Sequence, residues 1–392
     1  MYMFLMPLAI ILGCTVLYLF NQQRNLHRPP CISGWIPWIG AVFRFGKAPL
    51  EFIEQARIKY GPVFTIFVLG NRITFVTEEE GFDVFFKSKE LNFEHAVEDP
   101  IYRTVSIPKN IFLTFHGLLY GLMKNKMKIS HLYQFSEKLV EGLHEELESL
   151  GTDGSKDLYN LVSHALYPVT VNIIFGKGLY PTTQKKIQEF HKHFQIYDDG
   201  FQYGSQIPEC FLRNWSKSRR WLLNLFEKSI PDLERDRTSD DLTVLQLITN
   251  TLKRGTREDK APNYAVLMLW AALSNAVPNY TVPSGDLLMM SPFWIHRNPK
   301  YFPEPELFKP ERWEKANLEK NAFLDWFVAF GGGKYPCPGR WFALLEIEIY
   351  VALVFYKYQF NLLDPFPKQN FNRLVGIQKP SIPCRVEYKC RK

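Results

Sequence analysis

The chain has 392 residues, and its 46% hydrophobic and 15% aromatic content is ample for a large core. A net charge of +7, with a pI near 8.9, suits an anionic membrane surface or an acidic protein partner, while the scatter of the basic residues argues against nucleic acid. Six cysteines (14, 31, 210, 337, 384 and 390) in so long a chain make no disulfide framework, which points to a reducing, cytosolic setting for the soluble part.

Residues 1–23 carry no charge, and Met3 to Phe20 is almost continuously apolar, long enough to span a bilayer. Arg24, His27 and Arg28 follow, so the basic flank is expected on the cytosolic side. A cleaved signal peptide would start basic, have a shorter apolar core and end at small residues. The segment has none of these and reads as an uncleaved membrane anchor. Residues 24–40 form a proline-rich hinge, with Pro29, Pro30 and Pro37 for stiffness and Trp35 and Trp38 suited to a membrane interface. Beyond it, residues 41–392 read as one domain, mainly α with a small β portion.

Pro49 to Tyr60 is predicted as a helix, and Val63–Val68 and Ile73–Val76 as a hairpin about Gly70-Asn71. From Thr114 to Trp270 the pattern is mainly helical. Ser136 to Leu150, for example, repeats apolar residues at Leu139, Val140, Leu143, Leu147 and Leu150 before Gly151. Pro231–Asp241 and Lys253–Lys260 are polar, charged connectors. Tyr264 to Pro278 begins as a buried helix and carries the polar pair Ser274-Asn275 near its end. His191 and His193 stand two apart, so on a helix they face different directions.

Later come His296-Arg297-Asn298-Pro299, running into Phe308-Lys309-Pro310-Glu311-Arg312-Trp313, and then the run Phe330-Gly331-Gly332-Gly333-Lys334-Tyr335-Pro336-Cys337-Pro338-Gly339. Three glycines let a chain turn tightly and approach a flat ligand. Cys337 precedes a helical apolar pattern, where the positive end of the helix dipole favours thiolate. A thiolate delivered onto planar iron from such a loop is haem-thiolate ligation. The plainer reading of a lone cysteine in apolar surroundings is a buried structural thiol. The glycine run lacks the spacing and the Ser/Thr of a phosphate loop.

The run resembles the haem loop of the cytochrome P-450 superfamily, F-G-x-G-x-[RH]-x-C-x-G, departing only at Tyr335, where the family has Arg or His. The block at His296–Trp313 resembles the one that precedes that loop. This resemblance implies the P-450 fold and haem b, with Cys337 as axial ligand and Phe330, Gly331, Gly333 and Gly339 forming the loop around it. Lys334 or Lys124, from the basic cluster Lys124, Lys126 and Lys128, would supply a propionate partner. Ser274 and Asn275 fall where the family delivers protons to dioxygen; the alternative is a polar pair that bends or caps the helix.

Arg28–Cys31, Gly34–Gly40, Phe45–Ile53 and Arg213–Ser218 further resemble the sterol 7α-hydroxylase branch of the superfamily. That branch implies 7α-hydroxylation of an oxysterol in cholesterol catabolism and bile acid synthesis. Electrons would come from NADPH through NADPH-cytochrome reductase. It also implies an endoplasmic reticulum membrane protein, single-pass, with membrane lipid around its anchor. Asn275 in place of the usual threonine leaves a haem-thiolate isomerase of the prostacyclin synthase type as an alternative.

After Pro278 the sequence passes directly to what resembles a much later part of the family. The rest of the central helix, further helices and the Glu-x-x-Arg motif are not found there. Glu54-Gln55-Ala56-Arg57 fits Glu-x-x-Arg but lies far upstream and is read as accidental. In the family, the counterpart of Arg312 joins a buried network with that motif. An uncompensated buried charge costs about 3–5 kcal/mol, so impaired haem binding is expected, and a non-catalytic membrane-tethered splice variant or gene-model form is a further alternative.

Overall fold

The computed structural model describes residue 13 and residues 28–36, 39–235, 242–256, 258–274, 279–281, 285–314, 326–372 and 378–391. The predicted anchor at 1–23 lies outside the described residues except for Gly13, and Asn275 lies outside them as well. Contacts cluster in two units, one of residues 1–96 with 277–334 and the other of 97–276 with 335–392. Each takes two separated stretches of chain, so no single cut in the sequence divides them and composition reads them as one domain.

The first unit is built on a five-stranded sheet ordered Cys31–Ile32, Val63–Val68, Asn71–Val76, Leu287–Met290, Asn279–Thr281. The hairpin forms, but it turns through Leu69 at φ 49° and Gly70 at φ 81° rather than Gly70-Asn71, so Asn71 already pairs with Val68 and Phe64 stands opposite Phe75. Both faces of its strands are covered, which suits their run of β-branched and aromatic residues. Asn71–Val76 pairs in parallel with Leu287–Met290, and Arg72 Nε reaches Asp286 Oδ2 at 3.1 Å beside that register. The helix Pro49–Tyr60 has Pro at its first position and ends at Gly61, whose φ is 93°.

The second unit is helical. Its principal helices are Lys109–Lys126, Tyr133–Ser149, Leu158–Phe175, Gln184–Gly204, Arg213–Arg235, Val244–Gly255, Ala261–Leu273 and Arg340–Lys357. A three-stranded antiparallel sheet of Asp153–Asp157, Arg385–Cys390 and Tyr358–Leu362 accompanies them. In Tyr133–Ser149 the buried residues are Phe135, Leu139, Leu143 and Leu147, one per turn, whereas Val140 faces solvent.

Among the described residues, only Leu158–Phe175 is a helix long and apolar enough to cross a membrane. Leu161, Ala165, Val169, Val171, Ile174 and Phe175 are buried in the core of its unit, so it serves as a core helix. The helix at Ala261–Leu273 is shorter than the predicted Tyr264–Pro278, with Ser274 as its C-terminal cap. Trp270 fixes it by stacking on Phe201 at 3.6 Å and by donating its indole N–H to Asp198 at 3.0 Å.

Candidate cofactor site

Cys337 lies just before the helix Arg340–Lys357, with Gly339 as that helix's N-cap. Its carbonyl accepts the Arg340 guanidinium at 3.2 Å. Burial pushes the thiol's pKa up, while the backbone N–H groups of Gly339 and Arg340 and the Arg340 charge pull it down. Burial outweighs them, so the thiol's pKa stays above its usual value. At Gly339 an added Cβ would meet Met127 Sδ at 3.5 Å, so the residues just after the Lys109–Lys126 helix border the cysteine helix.

The same helix supports the residues before the cysteine. Tyr120 donates its hydroxyl to the Pro336 carbonyl at 2.7 Å. Tyr335 meets Tyr120 edge-on at 5.2 Å and His116 at 5.1 Å, ring centre to ring centre. The family's cation position is thus occupied by a ring packed among rings. Of the basic cluster, Lys126 sits 5.9 Å over Phe135, whose ring meets Phe342 of the cysteine helix at 5.3 Å. Lys124 is exposed in the last turn of its own helix.

In the first unit, Gly331 and Gly333 take φ of 70° and 65°, conformations that favour glycine. Among the described residues no atom lies within 4 Å of where a Gly331 Cβ would stand, whereas at Gly332 a Cβ would strike the Phe86 ring at 2.5 Å. The loop is therefore thin at Gly331 and tightly backed at Gly332. Phe330 stands 6.4 Å from Phe327, and Lys334 is exposed.

His296 anchors the segment that leads into the loop: its Nε2 accepts the Val328 N–H at 3.0 Å, and its ring stacks on Phe327 at 5.3 Å. Burial first, and Arg297 second, lower its pKa to about 4, which keeps it neutral and able to accept.

Arg312 corrects the expectation of an uncompensated buried charge. It is partly exposed, and its guanidinium donates to the carbonyls of Pro303 at 2.5 Å, Glu304 at 2.8 Å and Leu307 at 3.1 Å. With five N–H donors in a planar fork, it closes its own loop. Nor is Glu54-x-x-Arg57 idle. Arg57 pairs with Glu54 at 2.8 Å and Glu78 at 3.3 Å, and Glu54 accepts the Trp294 indole N–H at 2.6 Å, two residues before His296.

Ser274 is buried, its N–H donating to the Trp270 carbonyl at 2.7 Å. His191 meets the Tyr180 hydroxyl at 2.7 Å, and His193 meets Ser218 at 3.0 Å while stacking on Trp221 at 4.7 Å. His116, Tyr120 and Phe86 stand outside every motif in the sequence, and His296 entered only as the first residue of its block. The one signal for the first two was Tyr335 itself, an aromatic residue where a cation is expected.

A thiol just before the helix Arg340–Lys357, preceded by glycines at positive φ, fits the thiolate ligation that haem-thiolate proteins use. The family described as Cytochrome P450 matches residues 29–230 and 273–386, and the chain belongs to that family, which is a haem family. It is 52% identical over 459 aligned positions to the human 24-hydroxycholesterol 7-alpha-hydroxylase, covering 97% of this chain and 98% of the relative. The mouse 24-hydroxycholesterol 7-alpha-hydroxylase is 49% identical, covering 98% of each. Among solved structures, retinoic acid bound cyanobacterial CYP120A1 superimposes with a TM-score of 0.74 at 16% identity, covering 94% of this chain and 100% of that one. That likeness shows the fold, mainly helical with a small sheet portion.

Proposed function

We propose that this chain is a haem-thiolate monooxygenase that hydroxylates 24-hydroxycholesterol at its 7α carbon. The observation that carries the reading is the 52% identity to the human hydroxylase across nearly the full length of both chains. Relatives of that name also favour hydroxylation over isomerisation. Haem supplies the dioxygen chemistry, with electrons drawn from NADPH through a reductase. Cys337 would hold the haem iron through its thiolate, a form that the Gly339 and Arg340 backbone N–H groups favour against the cost of burial.

By its motif the haem loop would comprise Phe330, Gly331, Gly333 and Gly339, with Lys334 or Lys124 as the propionate's cation. Ser274, which caps the helix Ala261–Leu273, and Asn275 after it in sequence serve the proton delivery that the family places there. Residues 1–23, apolar and followed by Arg24, His27 and Arg28, anchor the chain in the endoplasmic reticulum membrane with its catalytic part cytosolic.

A second reading, a membrane-tethered form without catalysis, rests on the missing Glu-x-x-Arg block. The alignment with the human relative runs over 459 positions, more than the 392 residues here, which supports an internal block absent after Pro278. So does the exposed apolar stripe Ile347, Val351 and Phe355 on the cysteine helix, a face fit to be covered by another element.

The test is the purified full chain in detergent or vesicles: haem content, the ferrous–carbon monoxide spectrum, then turnover of 24-hydroxycholesterol. A thiolate-type spectrum with a 7α-hydroxylated product that needs NADPH and reductase is expected. A folded protein that sheds haem on purification establishes the second reading instead. Turnover independent of NADPH and reductase overturns hydroxylation.

A further inference from the structure

The family's cation before the cysteine is missing, and Lys334 next to it is exposed. Tyr335 instead packs edge-on against two rings of the helix Lys109–Lys126, His116 and Tyr120, which stand one turn apart. Edge-on ring pairs at such distances attract beyond their burial. The Tyr120 hydroxyl then bonds the Pro336 carbonyl at 2.7 Å, one residue from the cysteine. Proline gives that stretch no backbone N–H, so the carbonyl is the handle the backbone of Pro336 offers. Ring packing on one side and a hydrogen bond on the next residue fix both position and orientation of the approach to Cys337.

We infer that Tyr335, Tyr120 and His116 are positioning residues for the Cys337 thiol, holding the approach to it by aromatic packing and one neutral hydrogen bond. The inference rests on Cys337 being the axial ligand only for its spectroscopic arm. A neutral clasp is not screened by salt, whereas an exposed ion pair is.

The test uses the full chain in two states. In haem-free protein, the rate at which iodoacetamide alkylates Cys337, read by peptide mass spectrometry, reports how often the loop opens. Tyr120→Phe keeps the ring and removes the bond to Pro336; alkylation is expected to quicken about fivefold, the change that loss of one hydrogen bond of ordinary strength produces. Tyr335→Leu should quicken it more, since the packing needs the ring. Tyr133→Phe, an exposed tyrosine, is the control.

In haem-loaded protein the ferrous–carbon monoxide band should move from thiolate towards thiol type in Tyr120→Phe and Tyr335→Leu, and should not respond to molar salt in the wild type. Unchanged alkylation in both Tyr120→Phe and Tyr335→Leu overturns the inference. If the wild type gives no thiolate band, the haem reading fails, and the alkylation rates still decide this one.

Discussion

The Thr170 hydroxyl has one proton and two neighbours, the Leu166 carbonyl at 2.8 Å and the Glu346 carboxyl. Donation to Glu346 favours the ionised carboxylate. With Glu346 ionised the single proton serves only one of them. Burial raises the Glu346 pKa from 4.5 to about 7, the Thr170 contact opposing it. A raised folded-state value means the folded protein holds a proton that the unfolded chain has released. Stability from this group is therefore complete below pH 4.5 and is lost as the pH rises towards 7, by roughly 3 kcal/mol in all. Urea unfolding of Glu346→Gln, which keeps a donor, should show that alkaline decline abolished.

His296 titrates with the opposite sense. Its folded value of about 4 lies below the usual 6.5, so its contribution is complete above pH 6.5 and fades as the pH falls towards 4. His296→Leu strips the Val328 N–H of its acceptor and should lower stability at pH 7 by about 1–3 kcal/mol. The acid decline should flatten in the same variant, measured by urea melts between pH 4 and 7.

Among the elements, the cysteine helix carries the most instructive surface. Ile347, Val351 and Phe355 follow at intervals of four, one face of the helix, and are 52%, 45% and 55% exposed. Replacing all three with serine should leave thermal stability within about 1 kcal/mol, because partly exposed side chains contribute little burial. Aggregation and binding of a hydrophobic dye should fall.

Elements whose determinants are local could be read from sequence. Pro49–Tyr60 has its N-terminal proline and terminal glycine, the hairpin its β-branched run, and Tyr133–Ser149 its one-per-turn leucines. Asp153–Asp157 could not: Asp-Gly-Ser-Lys-Asp has no strand pattern and is a strand because Arg385–Cys390 lies beside it to pair. The parallel pairing of Asn71–Val76 with Leu287–Met290 was equally hidden, since its partner comes some two hundred residues later. At the candidate site the cysteine and its glycines announced themselves by motif. The ring clasp did not, because Tyr120 and Pro336 are 216 residues apart.

At the scale of the whole molecule, the interleaving of two units sets how the chain tolerates cuts. Ending it at residue 276 removes Leu287–Met290 and Asn279–Thr281 from one unit, and the cysteine helix and two of three strands from the other. Neither core survives entire, so a 1–276 fragment should lack a cooperative thermal transition by circular dichroism even though most of its helices are encoded within it.

Arg312 shows where the same chain is forgiving. Three carbonyls within nine residues of it take up its guanidinium, so the stretch from Pro303 to Arg312 is tied to itself like a drawstring. A segment closed this way owes its shape to no distant carboxylate. Where a loop's fastenings are short-range, sequence elsewhere can come and go without undoing it. The reach of an arginine's contacts thus measures how far away a lineage can edit its gene before that loop notices.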